Sequence, residues 1–167
     1  MTTALLLGRF QPFHLGHLCL INEALKEVDK IIIGIAYSEN ANNGSNSENP
    51  FSVDERVEMI NLSLPAAGIT NYLIYRIPDN EDDNKWAEQL ELLLPKFDVV
   101  YTSDKNTFGE KWVERCLKEK YTIRRIKSLE RIDATTIREK IKGNEDWKSL
   151  VPKEIAYYIT KLMRLKS

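Results

Sequence analysis

The chain reads as an α/β fold, a doubly wound parallel sheet of about five strands with helices on both faces. Three observations predict it. Short runs such as Ile31–Ala36 carry no polar side chain, as a strand covered on both faces requires. Between these runs, apolar residues return at helical spacing. Pro, Gly and capping residues punctuate the order β-α-β-α-β-α-β-α-β-α, with no internal repeat and no break in composition, so residues 1–167 read as a single domain.

Ala4–Leu7 is the first strand. Leu18, Ile21, Leu25 and Val28 then repeat as a helix face from His17 onward, and Ile31–Ala36 is the second strand. Ser38–Pro50, rich in Asn, Ser and Gly, has no periodicity and reads as a loop of the size that lids, binding loops or simple insertions take. Ser52-Val53-Asp54-Glu55 is a capping box opening a helix whose Val53, Val57, Ile60 and Leu64 share a face, ended by Pro65 and Gly68. Tyr72–Ile77 is the third strand, closed by Pro78, and a helix over Lys85–Leu94 stops at Pro95. Val99–Thr102 is the fourth strand, Phe108–Lys118 a helix and Thr122–Ile126 the fifth strand. Asp133 caps a helix through Lys142, with Gly143 behind it. Pro152 suits the first turn of a last helix with Ile155, Ile159 and Leu162 inward. The helices from about residue 133 are expected to form a small cap on the same domain.

Composition narrows the function. Hydrophobic residues make up 43%, enough for a core, and 24 Lys+Arg against 25 Asp+Glu leave a net charge of −1. That balance argues against a dedicated nucleic-acid binder. Residues 1–83 nevertheless carry 5 basic and 12 acidic side chains, and residues 84–167 carry 19 and 13. The basic stretch Arg115–Arg131 is either a solvated face or a surface meeting a polyanion such as a triphosphate tail. No apolar run is long enough to span a membrane. The apolar start is too short, and lacks the basic flank, for a signal peptide. Cys19 and Cys116 have no metal-like spacing, so a reduced, cytoplasmic protein is expected.

Both histidines of the chain, His14 and His17, fall in Gly8-Arg9-Phe10-Gln11-Pro12-Phe13-His14-Leu15-Gly16-His17, between the first strand and the first helix. Open α/β sheets present their ligands there. Gly8 permits a close backbone approach, Gly16 exposes helix N-terminal amides that attract phosphate, and His14 and His17 at i and i+3 share a face on a helical start. Two imidazoles beside such amides can donate hydrogen bonds to phosphate oxygens. Neither common glycine-rich phosphate motif occurs, and two histidines without a third ligand make a poor metal site. The motif therefore points to phosphate.

This stretch resembles the G-R-[FM]-Q-P-F-H-x-G-H signature of the archaeal-type nicotinamide-nucleotide adenylyltransferases, in the HxGH nucleotidyltransferase superfamily. The likeness continues through Asn49-Pro50-Phe51-Ser52 with Glu55-Arg56, Arg76-Ile77-Pro78-Asp79, Trp86, Val100-Tyr101, Thr135 with Arg138, and Asp146–Pro152. It implies a Rossmann-like nucleotidyltransferase domain. It also implies direct transfer of the adenylyl group of ATP to nicotinamide mononucleotide, with pyrophosphate leaving and no covalent enzyme intermediate. By the same resemblance His14 and His17 contact ATP phosphates, His17 in the transition state, and Arg138 joins them in catalysis. Gly8, Arg9, Phe10 and Gly16 line the ATP cleft, Thr135 and Arg138 hold the β- and γ-phosphates, and Trp86 with Phe10 meets the nicotinamide ring. Mg²⁺ rides on the triphosphate without a protein metal cage, no nucleic acid or membrane takes part, and relatives form symmetric homo-oligomers.

Two positions depart from the family's pattern. Asp133 stands where Ser is usual, adding negative charge near phosphates. Glu48 stands where a basic residue is usual, with Lys105 or Lys127 available to supply the charge. They keep two alternatives open: a sister nucleotidyltransferase, adenylyl or cytidylyl, acting on another phosphorylated metabolite, and a nucleotide-binding regulatory module without turnover.

Overall fold

The computed structural model describes residues 1–39, 48–105 and 107–167. Strand β1 (Thr3–Gly8) occupies the centre of a five-stranded sheet, between β2 (Lys30–Tyr37) and β4 (Val99–Ser103), with β3 (Tyr72–Pro78) outside β2 and β5 (Thr122–Ile126) outside β4. All four pairings are parallel, and Leu6 lies opposite both Ile33 and Tyr101. The strand order turns back between β1 and β4, which opens a crevice at their carboxyl ends.

Alternation along the strands builds two apolar layers. Ala4, Leu6, Ile31, Ile33 and Ile35 point into one, which α1 (Leu15–Ala24), α2 (Val53–Ala66), α5 (Ala134–Lys142) and α6 (Lys153–Lys166) cover. Leu5, Ile32 and Val100 point into the other, closed by α3 (Asp83–Leu93) and α4 (Phe108–Leu117). This is the doubly wound α/β sheet that the alternating pattern predicts. The last helices add Ile137, Ile155 and Ile159 to the first layer, and Lys166 on α6 reaches back to Glu55 on α2 at 2.8 Å.

Helix ends differ from the sequence reading for local reasons. Helix α1 begins at Leu15, because His14 is its cap, and stops at Ala24, where Lys26 and Glu27 bond into a turn instead. Helix α2 carries Pro65 inside its last turn and ends through Gly68 at φ 78°. Helix α3 begins two residues before Lys85 because the Asp82 carboxylate accepts from the amides of Asn84 and Lys85. Pro152 caps α6 from outside its first turn. Among the described residues no helix is long and apolar enough to cross a membrane.

Ile33, fully buried in the central sheet, tests the layer arrangement. Ile33→Ala should lower the unfolding free energy by roughly 3 kcal/mol in urea denaturation. Leu92→Ala, on a side chain 87% exposed, should leave it within about 0.5 kcal/mol.

Candidate active site

Beyond Gly8 the chain turns through the protein interior, and residues 10–14 are all buried. Phe10 adopts φ 55°, and its ring folds back so that Cζ lies 3.0 Å from where a Cβ on residue 8 would stand. Only glycine leaves that space free. Buried backbone groups need partners, and distant side chains supply them. The Gln11 side chain, itself buried, donates to the Phe51 carbonyl (2.8 Å) and accepts from the Phe51 amide (3.0 Å). Arg56, 1% exposed at the start of α2, donates to the carbonyls of Arg9 and Ala36, both at 2.8 Å, and of Ser52 at 3.2 Å. Burial, reinforced by the nearby Arg9, lowers its guanidinium to about 10, so it stays charged near neutrality. Arg138 on α5 donates to the Gln11 carbonyl at 2.8 Å.

The two histidines form a reciprocal helix cap. His14 Nδ1 accepts from the amides of Gly16 (3.0 Å) and His17 (3.4 Å), while His17 Nδ1 accepts from the His14 amide (3.1 Å). The rings stack 3.7 Å apart at 21°. Phe10 meets the His17 ring edge-on at 4.7 Å, and Phe13 lies 5.3 Å from it. An accepting Nδ1 carries no proton, so each neutral ring holds its proton on Nε2. Among the described residues neither Nε2–H finds a partner. Protonation would fall on Nδ1 and break the cap. Burial lowers His14 to about 3, with Lys105 adding to the shift, and burial with the neighbouring His14 holds His17 well below its ordinary value. The turn therefore offers two uncharged imidazole donors.

The structure places the other predicted residues as follows. Gly16 is needed because a Cβ there would stand 2.8 Å from His14 Cε1. Its amide, expected to be open to phosphate, is instead taken by His14 Nδ1, so its part is to admit the ring. Arg9 is exposed and pairs with Asp79 at 2.9 Å at the end of β3. Thr135 sits exposed on the first turn of α5 and accepts from Arg138 at 3.3 Å. Burial lowers the Arg138 guanidinium, and Asp133 and Glu48 face it closely enough to oppose that shift. Asp133 caps α5 through the Thr136 amide at 2.8 Å. Phe10 is 2% exposed, its ring inside the core rather than along an open cleft. Trp86 is likewise no exposed stacking surface: it is 1% exposed, packed in the second apolar layer with Trp112 at 4.1 Å. Its Nε1 and the Thr102 hydroxyl are the buried side-chain atoms without a partner among the described residues.

The basic stretch is largely neutralised. Arg115 pairs with Asp83, Lys120 with Glu91, Arg124 with Glu27 and Arg125 with Glu114. Much of the basic C-terminal half thus closes onto carboxylates of neighbouring elements. Of the loop Ser38–Pro50, residues 40–47 lie outside the described residues. The sequence reading assigned no role to Gln11 or Arg56. Arg56 carried a signal, since it precedes Met59, Ile60, Ser63 and Leu64 at helical spacing on the buried face of α2. A charged residue in that stripe must have an internal partner.

Comparison with known proteins follows the same lines. A cytidylyltransferase-like family model matches residues 5–145. The nicotinamide-nucleotide adenylyltransferase of Methanococcus aeolicus is 40% identical over 162 residues, covering 95% of this chain and 88% of that protein. Its counterpart in Thermoplasma volcanium is 38% identical over 162 residues, covering 95% and 86%. Among solved structures, a bifunctional NMN adenylyltransferase/ADP ribose pyrophosphatase from Francisella tularensis, complexed with AMP and a manganese ion, matches with TM-score 0.75 and 26% identity. That match covers 90% of this chain and 44% of the Francisella chain.

The histidine cap has a pH signature. Unfolded His14 takes up a proton near its ordinary 6.5, whereas the folded residue does so only at about 3. Between these values the unfolded state binds more protons, so stability is fully present above about 6.5 and is lost as pH falls. The loss for His14 alone is on the order of a few kcal/mol. His14→Asn, which keeps a capping acceptor, should flatten the fall of the urea midpoint between pH 7 and pH 5.

Proposed function

The chain belongs to the cytidylyltransferase-like family, within it to the nicotinamide-nucleotide adenylyltransferases, and from that membership we propose that it makes NAD and pyrophosphate from ATP and nicotinamide mononucleotide. The observation that carries the chemistry is the pair of neutral, stacked imidazoles whose Nδ1 atoms are both committed to the helix cap.

A phosphate oxygen of nicotinamide mononucleotide attacks the α-phosphorus of ATP in line, and the bond from that phosphorus to the bridging oxygen breaks as pyrophosphate leaves. Charge grows on the bridging and non-bridging oxygens. Nε2–H donors held in place by packing stabilise it without reorganising. No proton needs to move and no enzyme nucleophile is required, so catalysis is positioning plus electrostatics. His17, half-buried, is assigned to the transition state and His14 to the triphosphate. Arg138 and Thr135 at the start of α5 are assigned to the β- and γ-phosphates, and Arg9 to the nucleotide once it parts from Asp79.

The donor set of this site, imidazole N–H groups and guanidinium, suits an anion rather than a cation, and among the described residues no group of three acidic, His or Cys side chains gathers to hold a metal. A divalent cation, assigned as Mg²⁺, would be carried by the triphosphate and would supply charge neutralisation for the departing pyrophosphate. Trp86 is kept on the acceptor side because its Nε1 is a buried donor without a partner, a group that a carboxamide oxygen would satisfy. The same reading takes the chain as one nucleotidyltransferase domain, acting in the cytoplasm and in a homo-oligomer. A second reading, an acceptor other than nicotinamide mononucleotide, is favoured by one feature: the Glu48 carboxylate faces Arg138 and adds to the negative charge of Asp133 there.

Pyrophosphate release with ATP and Mg²⁺, measured against a panel of phosphorylated acceptors, separates these readings. Turnover with nicotinamide mononucleotide is expected. Turnover only with another acceptor overturns it, and ATP binding without product points to a regulatory module. His17→Ala should lower kcat by about 10²–10³ while leaving the KM for nicotinamide mononucleotide within a few-fold. An unchanged kcat would remove His17 from the mechanism.

A further inference from the structure

We infer that Lys105 is a further substrate-contacting residue of this enzyme, an ammonium held by the Ile132 carbonyl beside the histidine turn to grip the β- or γ-phosphate of ATP. The inference rests on the adenylyl-transfer reading. Lys105 follows β4 by two residues, and β4 lies against β1, so its turn stands across the crevice from the β1–α1 turn. The Lys105 amide bonds to Ser103 Oγ at 3.4 Å, which ties the turn to the strand end. Its Nζ donates to the Ile132 carbonyl. That carbonyl oxygen lies 3.7 Å from the position a Cβ on Gly16 would take. The ammonium is thereby brought to the first turn of α1, between the histidine cap and the cap of α5.

Its charge is felt by His14, His17 and Asp133. It helps to keep His14 and His17 unprotonated, and it helps the Thr136 hydrogen bonds hold Asp133 ionised against the opposing effect of burial. Lys105 also differs from the paired cations of the basic stretch that follows it. Arg115, Lys120, Arg124 and Arg125 each end on a carboxylate, whereas Nζ of Lys105 ends on a carbonyl, which orients an ammonium without cancelling its charge. An ammonium has three protons to donate, and the carbonyl takes one. Asp133 completes the arrangement. A carboxylate at the cap of α5 repels a triphosphate, and Lys105 offsets that charge while Asp133 continues to cap the helix. The Ile132 carbonyl holds the ammonium, whose field offsets the Asp133 carboxylate.

The test measures equilibrium binding of ATP and of AMP to the whole protein without acceptor, beside steady-state turnover. Lys105→Met should weaken ATP binding about tenfold or more and leave AMP binding within twofold, because AMP has neither β- nor γ-phosphate. Lys105→Arg should recover most of the ATP affinity. Adding Asp133→Asn to Lys105→Met should recover part of it, since the unopposed carboxylate is then gone. Unchanged ATP affinity and turnover in Lys105→Met would overturn the inference. So would an equal loss for ATP and AMP that Lys105→Arg does not restore, which marks a structural role. Should the wild type bind ATP yet make no product from nicotinamide mononucleotide, the acceptor reading fails while the ATP–AMP comparison still decides the role of Lys105.

Discussion

Arg56 is a buried cation hydrogen-bonded to backbone carbonyls, and the arrangement of the site depends on it. A guanidinium in a protein interior must be hydrogen-bonded, and this one satisfies the need by gathering chain segments that leave the sheet in different directions. It takes the carbonyls at Arg9 beyond β1, at Ala36 near the end of β2, and at Ser52 ahead of α2. Gln11 adds a two-bond link to Phe51, and Arg138 takes the Gln11 carbonyl from the far side. The turn after β1 is thus fixed from three elements at once. A turn so fixed can hold two imidazoles in one stacked geometry, as electrostatic catalysis without reorganisation requires.

Charge is arranged to the same end. Burial and a nearby ammonium keep both histidines neutral, and His14 adds to the effect on His17, which leaves their Nε2–H groups as uncharged donors. Positive charge is supplied around them by Arg9, Arg138 and Lys105, each restrained by an acceptor of the protein. Elsewhere the acidic and basic halves of the sequence meet across element boundaries, as in Arg124 with Glu27 and Arg115 with Asp83. Such exposed pairs add little stability individually. They do offset part of the basic charge that residues 115–131 carry when read in isolation.

The fold was legible because its signals are local. Short apolar and β-branched runs marked the strands, and Ser52, Asp133 and Gly143 marked helix ends where the structure has them. The strand order could not be read from spacing, since it depends on which strands pair. The histidine turn was legible as a place, because both histidines of the chain fall there. Its internal wiring was not: an imidazole acting as a helix cap has no separate sequence sign, and the Gly16 amide looked free until the His14 ring was seen on it. Trp86 shows the limit from the other side. Motif likeness placed it at a ligand and gave no sign of its packing, in the second apolar layer against Trp112. Arg56 was missed because it directly follows a capping box that accounts for the helix start without it.

The bracing of the β1–α1 turn also orders events in time. Residue 11 depends on residue 51 for its side chain and on residue 138 for its carbonyl, and β1 itself lies between strands that begin at residues 30 and 99. None of these contacts is local, and parallel pairing across such separations forms late in folding. As the chain emerges from synthesis N-terminus first, the segment bearing both histidines is made early, yet it is held in its final shape only after α5 has been made. A chain interrupted before residue 138 would carry the whole histidine motif without the support that makes it a site.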